Sequence, residues 1–342
     1  MNRIDFVITW VDGSDPAWID SKNHYSGRGQ VASDSPEANS VCRYQDNGLL
    51  KYWFRSVELF APWVNRIHFI TCGQKPDWLN VANPKLNIVN HEDYIPSQYL
   101  PTFNSNTIEL NLHRLESLAE HFVLFNDDMF ILQPIEPSYF FKNGNPILTT
   151  DLRYPRYLGY NNWGRFLYND YCIINNSFNH RKGIWANRGK WFSVRDLGFK
   201  RVRQNLICYL ANKSLPVGIY GHFIQPHLKS TLKEIWEQNP DVLENSSKYR
   251  FRHDEQVNQY LMCAWNQAKG LFEPAHERER GMFFEICPDS LGSIVQAIET
   301  QQYPQACIND SPLNVESTKC LNSIICSFEK VFPNKSSFEL GD

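Results

Sequence analysis

The chain has 342 residues, 42% of them hydrophobic and 21% charged, which is enough for one large or two ordinary domains with a real core. A formal net charge of −3 excludes a general nucleic-acid binder, and no apolar run approaches the length of a membrane span. Nine cysteines, an odd number without a CxxC pair, are expected to be reduced and buried rather than a disulfide framework or a zinc site. The opening MNRIDFVITW shows no charged leader followed by an apolar core. The expected location is therefore cytoplasmic, with peripheral contact at the inner face of the cell membrane left open.

In chain order, Ile4 to Trp10 reads as a buried strand ended by Asp12-Gly13. The polar stretch 20–40 reads as a long loop of the kind that forms lids. Leu49 to Phe60 places Leu50, Phe54 and Val57 at helical spacing, and Pro62 stops it. Arg66 to Thr71 and Leu86 to Val89 read as strands. Asn106 to His121 reads as a long helix, with Ile108, Leu112, Leu115 and Ala119 as its apolar stripe and Asn106 as N-cap. Phe122 to Phe125 is the next strand. Such alternation predicts crossover units and a mainly parallel, Rossmann-like α/β sheet flanked by helices.

Residues 151–280 read as a largely helical or irregular insertion. Its periodicity is weak to 203, with clearer helices at Leu228 to Gln238 and Asp254 to Ala268, the latter closed by Gly270. Residues 281–342 return to the core through a strand at Met282 to Ile286, a helix near Ser293 to Gln301, the strand ACIND, and a last helix presenting Leu321, Ile324, Phe328 and Val331. The whole is expected to be one catalytic domain, 1–342, whose first half is 1–150.

Three apolar stretches run straight into acids: ITWVDGSD, VLFNDD and ACIND. If they are neighbouring strands, Asp12, Asp127, Asp128 and Asp310 converge where an open α/β sheet binds ligands. Carboxylates so gathered call for a cation, most simply Mg²⁺, which in turn binds phosphates. The plainer reading makes these acids turn formers and helix caps. Gly13 between Asp12 and Asp15 permits close backbone approach to a ligand. Trp10 and Trp18 read as core, with a nucleobase or sugar platform as the sharper alternative. In GHFIQPH, His222 and His227 match no zinc spacing, and no Cys or acid nearby in sequence completes a site; a His is the usual general base for a hydroxyl, though more often structural. Asn104, Ser105 and Glu109 stand at a helix start, where anions are favoured, with ordinary capping as the simpler role. The run from Asn179 to Arg203, including Arg181, is basic and interleaved with aromatics; it suits a diphosphate clamp, anionic lipid, nucleic acid or a solvated face. Arg250 and Arg252 precede a helix and suit phosphate or a nearby Asp254 or Glu255.

Taken together, ITWVDGSDPAW, RYQDNGLLKYWFRSVELFAPWVNRIHFITCGQKPDWL, LPTFNSNTIELNLHRLESLAEHFVLFNDDMF, GHFIQPHLKSTLKEIWE with KYRFRHDE, and CIND resemble, in order, the conserved regions of the Stealth family. That family comprises bacterial capsular polysaccharide phosphotransferases and the catalytic subunit of GlcNAc-1-phosphotransferase, and the likeness is greater to the bacterial branch. The resemblance implies a Rossmann-like core, Mg²⁺ or Mn²⁺, and transfer of a hexose-1-phosphate from a UDP-sugar to a hydroxyl of an oligosaccharide or lipid-linked glycan. It implies His222 as base, Arg252 as phosphate clamp, Asp127 in the reaction, and Asp128 and Asp310 on the metal. Asp12, Gly13, Asn104, Ser105, Glu109, Arg181 and Asn309 are expected at the donor. The acceptor hydroxyl then attacks the phosphorus next to the sugar and UMP leaves. An ordinary glycosyltransferase releasing UDP, or a non-catalytic glycan binder, are the rival expectations.

Overall fold

The computed structural model describes residues 3–26, 39–153, 162–210, 217–218, 221–275, 281–309 and 315–341. The first half contains β1 (Ile4–Thr9), α1 (Pro16–Ser26), α2 (Leu50–Phe60), β2 (Arg66–Thr71), β3 (Leu86–Asn90), α3 (Ser105–Leu110), β4 (His121–Phe125), β5 (Met129–Ile131), β6 (Phe141–Lys142) and β7 (Asn145–Thr149). The middle contains β8 (Leu152–Arg153), α4 (Asn162–Ser177), α5 (His180–Ala186), α6 (Arg188–Trp191), α7 (Val194–Leu210), β9 (Val217–Gly218), β10 (Gln225–Leu228), α8 (Lys229–Gln238), α9 (Pro240–Lys248), α10 (Tyr260–Lys269) and β11 (Glu273–Ala275). The chain returns through β12 (Met282–Glu285), α11 (Pro288–Glu299), β13 (Gln305–Asn309) and α12 (Val315–Val331). None of these helices is long and apolar enough to cross a membrane.

The fold is α/β. Its main sheet has the order β10-β4-β1-β2-β3, with β1 to β4 mutually parallel and β10 antiparallel at the edge. Period-two alternation sends the strand side chains into two cores. Phe6, Ile8, Phe69, Val123 and Phe125 meet α2, α11 and α12 on one face. Val7, Ile70, Phe122 and Leu124 meet α3, α8 and α10 on the other. The long return of the chain is locked to α2 by Arg55, a buried guanidinium. Its Nε and Nη2 both donate to the Glu339 carboxylate at 2.8 Å, and its Nη1 donates to Phe332 O at 2.7 Å. Tyr52 stacks on Phe328 beside it, centroids 5.4 Å apart.

Several expectations are revised. The helix expected over Asn106–His121 ends at Leu110, because the Asn111 amide folds back on Thr107 O at 2.8 Å. The chain then turns so that Ala119 N donates to the carboxylate of Asp5 inside β1 at 2.8 Å. The N-cap is Asn104, not Asn106. The helix expected from Asp254 starts at Tyr260, since Gln256 donates to Ser246 O at 2.6 Å and Asn258 N donates to Asp170 at 3.1 Å, fixing a turn. Residues 20–26 belong to α1 rather than to a loop, and residues 27–38 lie outside the described residues. The third acidic stretch, β13, is not in the main sheet; it lies between β12 and β5 in a three-stranded sheet. The described cysteines are free, but Cys72, Cys172 and Cys326 are exposed rather than buried.

Candidate active site

The strand order reverses between β1 and β4, because the chain leaves β1 toward β2 on one side while β4 lies on the other. In open α/β sheets ligands occupy the crevice beyond the carboxyl ends at such a point. The residues that follow these two strands, Trp10 to Asp15 and Asn126 to Asp128, therefore face the same opening.

The turn after β1 is a rigid ledge. Gly13 N donates to Tyr44 O at 2.7 Å. A Cβ on Gly13 would stand 2.2 Å from that oxygen, so this close approach requires glycine. Gln74 clasps Asp12 through both backbone groups at 3.0 Å. The Asp12 carboxylate accepts from Ser14 N at 2.8 Å and Ser14 Oγ at 2.6 Å, and Asp15 accepts from Trp18 N at 2.8 Å. The turn-and-cap reading thus describes both side chains as they stand. Trp10 and Trp18 are buried, Trp10 against Phe69 and Trp18 against Tyr44 and Phe103, as core residues rather than platforms.

The turn after β4 carries the chemistry. Pairing of β13 with β5 places Cys307 opposite Met129, and Ile308 N donates to Asp128 O at 2.8 Å. The antiparallel edge strand β10 is entered from His222. Asp128 Oδ2 consequently lies 3.2 Å from Cys307 Sγ and 3.4 Å from His222 Nε2. Asn126 Nδ2 also reaches His222 Nε2 at 3.4 Å. Donor atoms of Asp128, His222 and Cys307 all lie within 4.8 Å of one another. The acid and Cys absent from the sequence around His222 are thus supplied in space by two strands, which corrects the expectation that nothing completes a metal-ligating set there. Burial pushes the Asp128 carboxyl upward, but His222 beside it, helped by Cys307, holds it below its ordinary value. Its Oδ1 is buried and without a hydrogen-bond partner among the described residues, an arrangement that fits a cation. Asp127 lines a narrow cleft with Asp128, Asp46, Asn47, Leu49, Leu50 and Ile308.

A second group backs the first. Glu109 on α3 is 3% exposed. Burial raises it to about 7, with the charges of Arg252 and His222 pulling the other way. Arg252 Nη2 donates to Ser105 Oγ at 2.8 Å. Its guanidinium is lowered to about 10 by burial and by the neighbouring Arg43, while Glu109, Tyr44 and Asp128 oppose that shift. Asn104, fully buried, is the fastener of this arrangement. Its amide donates to Tyr249 O at 2.9 Å, Phe251 O at 3.1 Å and Gln256 Oε1 at 3.0 Å, while its Oδ1 accepts from Asn106 N at 3.2 Å. The Asn104 side chain is therefore committed to capping and to holding the Arg252 loop, and any part in donor binding is indirect.

The structure gathers Asp127, Asp128, His222, Arg252, Ser105 and Glu109, with Asp12 and Gly13 on the facing ledge. Asn309 ends β13, its carbonyl accepting from Ile286 N at 3.2 Å. Arg181 is on α5, its guanidinium over the Tyr209 ring at 4.8 Å, in the helical insertion. Asp310 lies outside the described residues. His227 is fully buried against Phe122, and burial lowers it to about 4, so it is a core residue. Arg250 donates to Pro101 O at 2.6 Å and covers Tyr25. Three participants were not singled out from the sequence. Cys307 is visible only through strand pairing. Asp46 is raised by burial and by nearby Asp12, and Arg43 acts on Arg252; both stand in RYQDNG, whose acid follows no strand.

Residues 43–148 match Stealth protein CR2, conserved region 2, and residues 2–30 match Stealth protein CR1, conserved region 1. A capsular polysaccharide phosphotransferase, WcwK of Streptococcus pneumoniae, is 40% identical over 99% of this chain and 99% of its own length. A receptor polysaccharide phosphotransferase, WefC of Streptococcus oralis, is 38% identical over 99% of this chain and all of its own. Among solved structures, the galactosyltransferase LgtC in complex with donor and acceptor sugar analogs aligns over 97% of this chain and 98% of its own at 11% identity, with a TM-score of 0.39.

Proposed function

The chain belongs to the Stealth family of transferases, and on that premise we propose that it moves a hexose-1-phosphate, such as a HexNAc-1-phosphate, from a UDP-sugar to a hydroxyl of a glycan acceptor, building phosphodiester-linked capsular or surface polysaccharide. The observation that carries this reading is the Asp128–His222 pair at the switch point, backed by Arg252 and Glu109. In the tautomer with its Nε2 proton toward Asp128, 3.4 Å away, His222 leaves Nδ1 as the free lone pair. Asp128 favours that tautomer and orients the ring, as the carboxylate partner of a catalytic imidazole does. Nδ1 takes the proton as the acceptor oxygen bonds to the phosphorus next to the sugar. The phosphorus–oxygen bond to UMP breaks, and the C1–O bond of the sugar survives. Arg252, held by Ser105, offers its remaining N–H groups to the non-bridging oxygens. Mg²⁺ or Mn²⁺ held by Asp128 and Asp310 would neutralise charge on the diphosphate. Positioning and electrostatics of this kind are what phosphoryl transfer requires.

The test is a panel of UDP-sugars with short acceptor oligosaccharides, scored by phosphorus NMR and by the nucleotide released. A phosphodiester signal with UMP is expected. UDP with only glycosidic product would make the protein an ordinary glycosyltransferase, and no turnover with any pair would favour a glycan binder. His222→Ala should lower turnover by roughly 10²–10⁴-fold, the usual worth of a general base; near-normal turnover in the folded variant would remove His222 from that role.

A further inference from the structure

Helix α7 is broken at Gly198, and its longer part, 199–210, turns an apolar stripe to solvent. Phe199 is 73% exposed, Leu206 41%, Ile207 49% and Leu210 65%. At 3.6 residues per turn these four, with Arg203 among them, fall within roughly 100° of the helix circumference. The opposite side of the helix is anchored. Asn205, fully buried, donates to Thr150 O at 2.8 Å and Trp191 O at 2.9 Å and accepts from Leu152 N at 2.9 Å, and Cys208 is buried beside it. The exposed stripe is therefore fixed outward by buried polar bonds on the other face. It continues onto α5 through Tyr209, which stacks on Trp185 with centroids 6.0 Å apart, and Trp185 is itself 55% exposed.

Exposed cations accompany this stripe along α5, α6 and α7. Lys182, Arg188, Arg195, Lys200 and Arg203 are exposed. The only acid between Asn179 and Leu210 is Asp196, which accepts from Ser193 Oγ at 2.5 Å. This local excess stands on a chain whose net charge is −3.

The geometry points to an anionic lipid surface as the partner of this face: the apolar side chains of α7 and Trp185 enter the headgroup boundary, and the Lys and Arg residues pair with acidic headgroups. Amphipathic helices with large apolar side chains between cations bind membranes in this way, and long cationic side chains lie along such a stripe with their heads toward the headgroups. A two-fold dimer through the same stripe would set identical cations against each other. Nucleic acid would use the cations but leave the apolar stripe in water. This inference does not depend on the reaction proposed above, and either can fail alone.

The test uses the full chain. It should sediment with vesicles of phosphatidylcholine and phosphatidylglycerol, sediment much less with phosphatidylcholine alone, and be released by salt. Substituting Phe199→Ser, Leu206→Ser and Leu210→Ser together should weaken vesicle binding about tenfold or more with the thermal melt unchanged, since these side chains are exposed. Lys200→Glu with Arg203→Glu should remove the preference for the anionic vesicles. Three outcomes would overturn the proposal: no sedimentation with anionic vesicles, sedimentation unaltered in the triple variant, or a dimer seen by light scattering that the triple variant abolishes without any vesicle binding.

Discussion

Replacing Asn104 by alanine removes the joint between two halves of the site. The side chain is fully buried, and its amide donates to two backbone carbonyls and to Gln256. Losing the N-cap costs about 1 kcal/mol. Leaving buried acceptors short of a donor costs about 1–3 kcal/mol more, so a loss of about 3 kcal/mol is expected in urea unfolding. Activity should fall beyond the fraction unfolded, by about tenfold at a temperature well below the melt, because the Tyr249–Phe251 segment that leads into Arg252 loses its tether. Asn104→Asp is the decisive control. Aspartate caps a helix as well as asparagine does, but it turns a carboxylate oxygen toward acceptors where an amide donated. If the tether matters, Asn104→Asp is no more stable than Asn104→Ala. A melt close to the parent for Asn104→Asp would show that the cap alone carries the effect and refute the reasoning.

Glu109, raised to about 7 by burial, keeps its proton in the folded state over a range where the unfolded chain has lost it. That contribution is therefore present at low pH and lost as pH rises from the unfolded value through 7. Glu109→Gln should remove a decline of about 2 kcal/mol between pH 5 and pH 8 in denaturant melts; an unchanged slope would mean that Glu109 is ionised throughout. His227, lowered to about 4, behaves in the opposite sense, since the unfolded chain takes up a proton first as pH falls below 6.5. It should cost about 2 kcal/mol at pH 5, and His227→Gln should recover part of that loss in the same titration. Gly13→Ala should destabilise by about 1–3 kcal/mol and impair donor binding, because its Cβ meets a backbone oxygen rather than a yielding side chain; calorimetric titration with the UDP-sugar found active would reveal an unaffected ledge.

Periodicity exposed the sheet because burial on both faces leaves short apolar runs with sharp ends, and β1, β2 and β4 carry that mark, whereas the edge strand β3 buries only Val89 and is legible from its short run alone. It misled over 106–121, where Ile108, Leu112 and Leu115 keep helical spacing although Asn111 closes the helix. An asparagine that bonds back to its own turn looks the same in sequence as one on a solvated helix face. In the site, Asp128 was legible because a buried strand ends beside it. Cys307 was not, because its nearness to Asp128 rests on antiparallel pairing between β5 and β13, separated by more than 170 residues. Asn104 and Glu109 were noticed for their place at a helix start. What divides them, one fastening a loop and one buried beside an arginine, depends on Tyr249 to Gln256 folding back over them.

The Arg55 clamp bears on how the chain is made. Residues of α2 emerge from the ribosome well before their partners: Tyr52, Phe54 and Arg55 meet Phe328, Phe338 and Glu339 only once more than 270 further residues have been made. Until then that side of the nascent sheet lacks the cover of α12, and aromatic side chains of this layer are available to chaperones or to neighbouring chains. This layer is completed late, and yield in a foreign host should depend more on protection during that interval than on the stability of the finished protein.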